Sequence, residues 1–387
     1  MFIHPIRSTI LSACIVLGAI STQAQYKLNI QLQSPGASAT DSVFIAGSFN
    51  NWQPHATPLT FDKASGTFMY AASNMRAGKY EFKFTRGDWG RVEKSAVCGD
   101  VPNHVLELQS DTTIRYGIGS WGNAKEKTHT ASAQVHVIDT AFAMPQLHTT
   151  RRIWIYLPKG YATGTKRYPV LYMHDGQNLF DAYTSGYGEW GVDEILDSLQ
   201  EAGKGPAIVV GIDNGPERIN EYIPFDDAKY GKAKGDAYVE FLVKTLKPFI
   251  DKHYRTLPAA NQTAIAGSSL GGLISYYAVT KYPQTFGKAG IFSPSFWIAP
   301  QLYDRIDSLP AKMNNKLFFY IGEKEGAEYV KDMSRMEEKL AANTGTLLYS
   351  AIDPDGVHNE FYWHKWFPEF YNWIMADWTN YIIRPKP

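Results

Sequence analysis

The chain has 387 residues, with 38 basic and 38 acidic side chains and a formal net charge of zero. That length exceeds one ordinary domain and gives each of two units enough chain for its own core. Balanced charge without like-charge blocks argues against a nucleic-acid partner, while aromatic residues at 14% leave rings to spare for sugar or aryl ligands.

Residues 1–25, MFIHPIRSTILSACIVLGAISTQAQ, place Arg7 ahead of an apolar run and end on the small residues Thr22 and Ala24, the layout of an export signal. The LSAC stretch at 11–14 mimics a lipoprotein box, but the apolar run continues past Cys14. A periplasmic or secreted protein without a lipid anchor is therefore expected. No later segment has an unbroken apolar run long enough to span a bilayer, so no membrane contact is expected once the signal is removed. Cys98 would then be the sole cysteine, which rules out an internal disulfide or a cysteine-based metal site.

Residues 26–117 read as short β-branched and aromatic strands (YKLNIQLQ, SVFIAG, TFMYAA, YEFKFT, HVLELQ, TTIRYG) between Gly, Asn, Asp and Pro turns. Such regular spacing predicts a small β-sandwich domain. Residues 118–134 are polar and small without apolar period, a linker. From 135 to 387 strand-like runs (RRIWIYLP, YPVLYMHD, AIVVGID, TAIAGS, AGIFSP, KLFFYIG, TLLYSAID) alternate with helical ones (VDEILDSLQEAG, DAYVEFLVKTLKPFIDKHY, YVKDMSRMEEKLAAN, KWFPEFYNWIMADW). Several of these strands are continuously apolar, as strands covered on both faces must be. The second domain is thus predicted to be α/β, a mostly parallel sheet flanked by helices, with ligands gathering at the carboxyl ends of the strands.

One such end reads AGSSLGG at 266–272. Gly267, Ser268, Ser269, Leu270 and Gly271 fit G-x-S-x-G between a strand and a helix, and the pattern selects Ser269 over Ser268 as nucleophile. Glycines flank it because the nucleophile's backbone is strained and side chains there would collide with neighbouring chain. A phosphate loop would need a Lys-Ser/Thr ending that is missing. A serine hydroxyl needs a base, and the base needs an acid; in α/β-hydrolases the chain order is Ser, acid, His. Downstream, KLFFYIGEKEG ends at Glu325, the first choice for the acid, with Glu323 second. His358, in the loop after the last predicted strand, is the expected base; His364 is read as structural, and Asp353 and Asp355 as turn residues. The amides of Leu270 and Gln177 are expected to form the oxyanion hole, with Gly176 letting the chain turn toward the site. His174 lies nearby, but no HExxH or comparable cluster accompanies it, so neither a metal nor a cofactor is expected.

Together these residues resemble the putative-esterase family of α/β-hydrolases. The resemblance covers roughly 135–380 through RRIWIYLPKGY, YPVLYMHDGQNLFD, EWGVDE, ERINEYIP, PFIDKHYRT, AIAGSSLGG, YIGEKEG and GVHNEFYW. That family includes feruloyl and acetyl-xylan esterases, S-formylglutathione hydrolases, siderophore trilactone esterases and mycolyltransferases. The DGQ position resembles the mycolyltransferase turn that donates the second oxyanion amide, and the same subgroup uses a glutamate as triad acid. Residues 26–117 are similar to starch- or glycogen-binding modules through AGSFNNWQP, YEFKFTRGDWGRVEK and VPN. The resemblance implies glycan contacts at Trp52, Lys83, Trp89 and Asn103, and possible glucan or xylan binding. It implies a serine carboxylic-ester hydrolase that removes feruloyl or acetyl groups from polysaccharide or oligosaccharide. The alternatives are a catechol-trilactone siderophore esterase, and a glycan-binding adaptor with an inactive hydrolase domain.

Overall fold

A computed structural model describes residues 25–36, 38–95, 101–122, 128–310 and 313–376; all but the last residue of the expected export signal, and Cys98, lie outside them. The chain divides into two compact units, Met1–Lys125 and Glu126–Pro387.

The first unit is all β. One sheet orders β3 (Thr60–Asp62), β4 (Thr67–Arg76), β1 (Gln25–Gln33) and β8 (Thr112–Gly117); a second orders β2 (Phe44–Gly47), β5 (Gly78–Thr85) and β7 (His104–Leu108). Strands β6 (Glu93–Lys94) and β9 (Ser120–Trp121) form a separate pair. Period-two alternation turns Leu28, Ile30 and Leu32 of β1 inward, where they meet Phe82, Phe84 and Leu108 in a single apolar core. Strand β9 lies inside the interval read as a linker. Two residues cannot display a period, so their pairing with β6 leaves no pattern in the sequence.

The second unit is built on an eight-stranded sheet. In chain order its strands are β10 (Val135–Met144), β11 (Thr149–Tyr156), β12 (Val170–His174), β13 (Ile208–Ile212), β14 (Thr263–Ser268), β15 (Lys288–Phe292), β16 (Lys316–Gly322) and β17 (Leu347–Asp353). Their spatial order is β10-β11-β13-β12-β14-β15-β16-β17. Only β10 and β11 pair antiparallel to their neighbours; the rest of the sheet is parallel. Strand β10 escapes the sequence pattern because most of its residues are exposed, so it lacks an apolar run.

Alternate residues of the central strands feed two separate cores. Tyr172, Val210 and Ile265 face one, and Leu171, Met173, Val209 and Ala264 face the other. Helices fill both faces: α1 (Val192–Glu201), α2 (Arg218–Tyr222), α3 (Gly235–Phe241), α4 (Lys247–His253), α5 (Leu270–Lys281), α6 (Gln301–Arg305), α7 (Ala327–Asn343) and α8 (Glu360–Met375). A π turn at Leu242–Leu246 joins α3 to α4 just ahead of Pro248, which has no N–H to give to an α-helical ladder. Helix α8 begins five residues before the predicted closing helix because Asn359 caps it, accepting from Tyr362 N–H at 3.3 Å. Among the described residues no helix is long and apolar enough to cross a membrane.

Strand β12 is flanked by β13 on one side and β14 on the other, so the chain reverses its winding there. This switch point opens a crevice at the carboxyl ends of β12 and β14, the strands that lead into Asp175 and Ser269. The far end of α8 is held by Lys316, a wholly buried lysine at the start of β16 whose ammonium donates to Trp373 O (2.7 Å) and Ala376 O (3.1 Å). Those carbonyls lie in and just past the last turn of the helix, where the backbone offers no intrahelical donor. Lys316→Met is expected to lower unfolding free energy by about 2 kcal/mol, read from the urea midpoint at unchanged slope.

Candidate active site

Ser269 sits between β14 and α5 at φ 59°, ψ −121°, a conformation that L-residues adopt only under constraint. The constraint is visible in its neighbours. Ser269 N–H donates to Phe292 O at 2.9 Å, and Ser269 O accepts from Ser295 N–H and Leu273 N–H. A Cβ on Gly267 would stand 3.0 Å from His174 Cδ2 and Gly271 C, and one on Gly272 would stand 2.8 Å from Phe292 O. Small residues are therefore required here by close packing against β12 and β15. Ser268, by contrast, is the buried last residue of β14.

Glu325 and His358 arrive from adjacent parallel strands. Residues Gly322 and Asp353 end β16 and β17 in register, and the loops beyond them touch. A Cβ on Gly322 would lie 2.3 Å from Gly356 C and O, so the two backbones meet with no room for a side chain. Lys324 N–H donates to Gly356 O (3.1 Å) across the same contact. In this setting Glu325 Oε2 meets His358 Nδ1 at 2.6 Å, while Glu325 Oε1 accepts from Gly322 N–H (2.9 Å) and Ser293 Oγ–H (2.6 Å). The carboxylate is 3% exposed and the imidazole 43%. Glu323 is exposed on the same turn. Asp353 accepts from Lys365, Trp366 Nε1 and Asp355 N–H and so closes the turn, as read from the sequence. His364 lies inside α8 with Nδ1 bonded to Trp190 O at 2.7 Å.

The sequence reading missed Ser293, Ser295 and Trp363. Ser293 takes φ 44°, accepts from Trp363 Nε1–H at 2.9 Å and donates its own O–H to Glu325 Oε1. Trp363 also packs edge-on against His358, with centroids 5.1 Å apart. Ser295 Oγ is the hydrogen-bond partner of Ser269 Oγ, at 3.3 Å; among the described residues no hydrogen bond joins Ser269 to His358. The available signal was the SPS that follows β15 at its carboxyl end, the place where ligand-facing residues collect.

In the turn after β12, Asp175 takes the left-handed conformation (φ 57°, ψ 47°). Gly176 is needed for a close approach: a Cβ there would sit 2.8 Å from the backbone of Gly211 and Ile212 on β13. Asn178 N–H and Leu179 N–H close the turn onto Asp175 O and Gly176 O. Gln177 is tied by its side chain, Oε1 accepting from Asn214 N–H at 3.1 Å. Gly271 at the start of α5 packs against this turn, since a Cβ on it would lie 3.3 Å from Asp175 Oδ2.

Asp175 is gripped by Arg218 through two parallel bonds (Nε to Oδ1 and Nη2 to Oδ2, both 2.7 Å) and by Asn214 Nδ2 at 2.6 Å. Burial opposes its ionisation, but the guanidinium and the amide outweigh burial and hold the carboxyl below its usual range. His174 is buried and bonded to Tyr238 Oη at 2.8 Å; burial pushes its pKa down to about 3, leaving a neutral structural ring. Glu360, two residues beyond His358, is 6% exposed, and burial pushes its carboxyl up to about 7.

In the first unit, Trp52 and Trp89 lie with ring centroids 6.2 Å apart at 37°. Lys83 donates to Val101 O, and Asn103 Nδ2 reaches Glu81 Oε2 at 3.4 Å.

The family described as "Putative esterase" matches residues 145–374, more than half the chain. The chain belongs to this family and is an ester-hydrolysing enzyme. It is 28% identical over 243 residues to the uncharacterized protein YbbA of Bacillus subtilis, covering 58% of this chain and 93% of that one. An endo-1,4-beta-xylanase/feruloyl esterase of Xylanibacter ruminicola is 30% identical over 182 residues, 45% of this chain and 23% of that protein. Among solved structures, the enterobactin esterase of Shigella flexneri superposes with a TM-score of 0.52 over 92% of this chain and 94% of its own, at 15% identity. At that identity the likeness is one of fold.

Two expectations follow from the site. Gly322→Ala must push the loops of β16 and β17 apart; it is expected to cost about 1–3 kcal/mol in stability and roughly a hundredfold in kcat/KM on a chromogenic ester. Glu360 keeps its proton in the folded state between the ordinary 4.5 and about 7, whereas the unfolded chain loses it at the lower value. Stability contributed by that proton is therefore lost as pH rises through this window. Glu360→Gln is expected to melt like the wild type near pH 4 and several degrees higher at pH 8, a difference of up to about 3 kcal/mol read from paired thermal melts.

Proposed function

We propose that the protein is an exported serine hydrolase that removes feruloyl or acetyl groups from polysaccharide or oligosaccharide. The observation that carries the serine mechanism is the 2.6 Å contact between Glu325 and His358, at the same carboxyl edge of the sheet as a serine held in a strained strand-to-helix turn. In this reading Ser269 Oγ attacks the ester carbonyl and gives its proton to His358 Nε2. Glu325 fixes the tautomer with the proton on Nδ1 and stabilises the imidazolium. The amides of Leu270 and Gln177 bond the tetrahedral oxyanion. His358 returns the proton to the departing alcohol, then activates the water that releases the acid. The Ser269 to His358 bond that this requires commonly shortens only in the complex with substrate.

Among the described residues, Arg218, the cation beside the Gly176–Asn178 turn, is already spent on Asp175, which favours a neutral ester over a multiply anionic ferric catechol trilactone. The tilted pair Trp52 and Trp89 offers indole faces of the kind that stack on sugars, which suits a carbohydrate-binding role for the first unit. The fold likeness to an enterobactin esterase over nearly the whole chain keeps the siderophore reading as the second hypothesis.

The deciding experiment is a substrate panel of methyl ferulate, acetylated xylan and a ferric catechol trilactone, run on the wild type and on Ser269→Ala. Turnover of the first two, with a loss of at least about 10⁴-fold in kcat in the variant, is expected. Preferential cleavage of the trilactone would transfer the assignment to siderophores, and undiminished activity in Ser269→Ala would overturn the serine mechanism.

A further inference from the structure

The EWGVDE turn at 189–194 carries no part of the proposed chemistry, yet it gathers charge. Glu189, Asp193 and Glu194 each bring a carboxylate oxygen within 4.8 Å of the other two. Asp193 and Glu194 open α1, where a helix dipole tolerates acids, but that does not account for Asp193. Its side chain is fully buried; Oδ2 accepts from Ser132 N–H at 2.6 Å, and Oδ1 has no hydrogen-bond donor. Buried carboxylate oxygens are ordinarily paired, so this one faces something other than a protein donor. Glu189 turns both oxygens to a single hydroxyl, Thr130 Oγ1, at 2.8 and 2.9 Å. The lysine that reaches α1, Lys159 in the loop after β11, is engaged farther along that helix, pairing with Glu201 and Asp197.

The donor set selects the ion. Oxygen ligands alone suit a hard divalent cation and not zinc. Oxygens that all lie within 4.8 Å of one another can share one ion; calcium, at about 2.3–2.6 Å, accepts such an irregular set, whereas magnesium, at about 2.1 Å, demands a near-ideal octahedron and keeps more water. We propose that Glu189, Asp193 and Glu194 form a structural calcium site that fastens Thr130 and Ser132, in the segment entering the second unit, to the start of α1. The same turn is laced to the residues after β12, Trp190 N–H donating to Asn178 O and Val192 N–H to Leu179 O. Calcium would thus stiffen the support of that turn without touching the reacting atoms. The competing account is a proton shared between Asp193 and Glu194, which needs no ion.

The full-length protein, freed of metal with EDTA, is titrated with CaCl2 and separately with MgCl2 at pH 7.5, following thermal melting and calorimetric heat. Expected is one calcium per chain, a rise in melting temperature of roughly 3–5 °C at ten times Kd, and a weaker response to magnesium. Glu194→Gln, at an exposed position that should fold, and Asp193→Asn are each expected to weaken calcium binding at least tenfold. The site is refuted if the wild type shows neither binding heat nor a melting shift, as a shared proton predicts, or if both responses persist in Glu194→Gln. Neither outcome depends on esterase activity.

Discussion

The site depends on a contact between two glycines. Gly322 and Gly356 meet backbone to backbone at the ends of β16 and β17, and any side chain at Gly322 would overlap Gly356. Parallel strands in register deliver the two loops to the same edge, but register alone leaves them a strand spacing apart. Removing both side chains lets the loops close onto each other, and Glu325 and His358 come within a short charge-assisted bond. Ser293 and Trp363 then hold the carboxylate and the ring from the other side. The pair is fixed by packing on β15 and α8, so its geometry is set by the sheet and not by a mobile loop.

Much of this was legible because the sheet announces itself. Continuous apolar runs such as IVVGI and KLFFYIG can only be strands covered on both faces, and G-x-S-x-G after one of them marks a strained turn. Glu325 and His358 were singled out by the order in which acid and base are expected to follow a serine, and the fold brings these two side chains into contact. What stayed hidden belongs to contacts between segments far apart in the chain. Ser293 looks like any loop serine until Trp363, 70 residues later, is seen to donate to it. The solvent-facing strand β10 and the two-residue β6 and β9 carry no period to detect. At Gly176 sequence shows that a glycine lets the chain turn closely, but only the neighbouring β13 backbone shows what it turns against.

Electrostatics at the crevice is arranged by pairing and not by net charge. Asp175 and Arg218 cancel one another next to the nucleophile turn and lock Asn214, which in turn holds Gln177. Removing either partner would leave an uncompensated buried charge, so the pair works chiefly as a brace for the backbone. His174, neutral and bonded to Tyr238, fills the space beneath the same turn. The crevice floor is thus made of groups that keep one ionisation state across the neutral range, while Glu360 changes its own near pH 7.

The Glu325–His358 pair is unequally sheltered, with the carboxylate sealed in and nearly half of the imidazole side chain open to solvent. In the proposed mechanism, that asymmetry decides which molecule can attack the acyl-enzyme. Bulk water reaches the base without a lid having to lift, whereas the acid that orients the ring stays dry and keeps its full electrostatic grip. An added small alcohol would have to compete with solvent at full concentration for the same opening, so the architecture leans toward hydrolysis and away from transfer of the acyl group to a second acceptor.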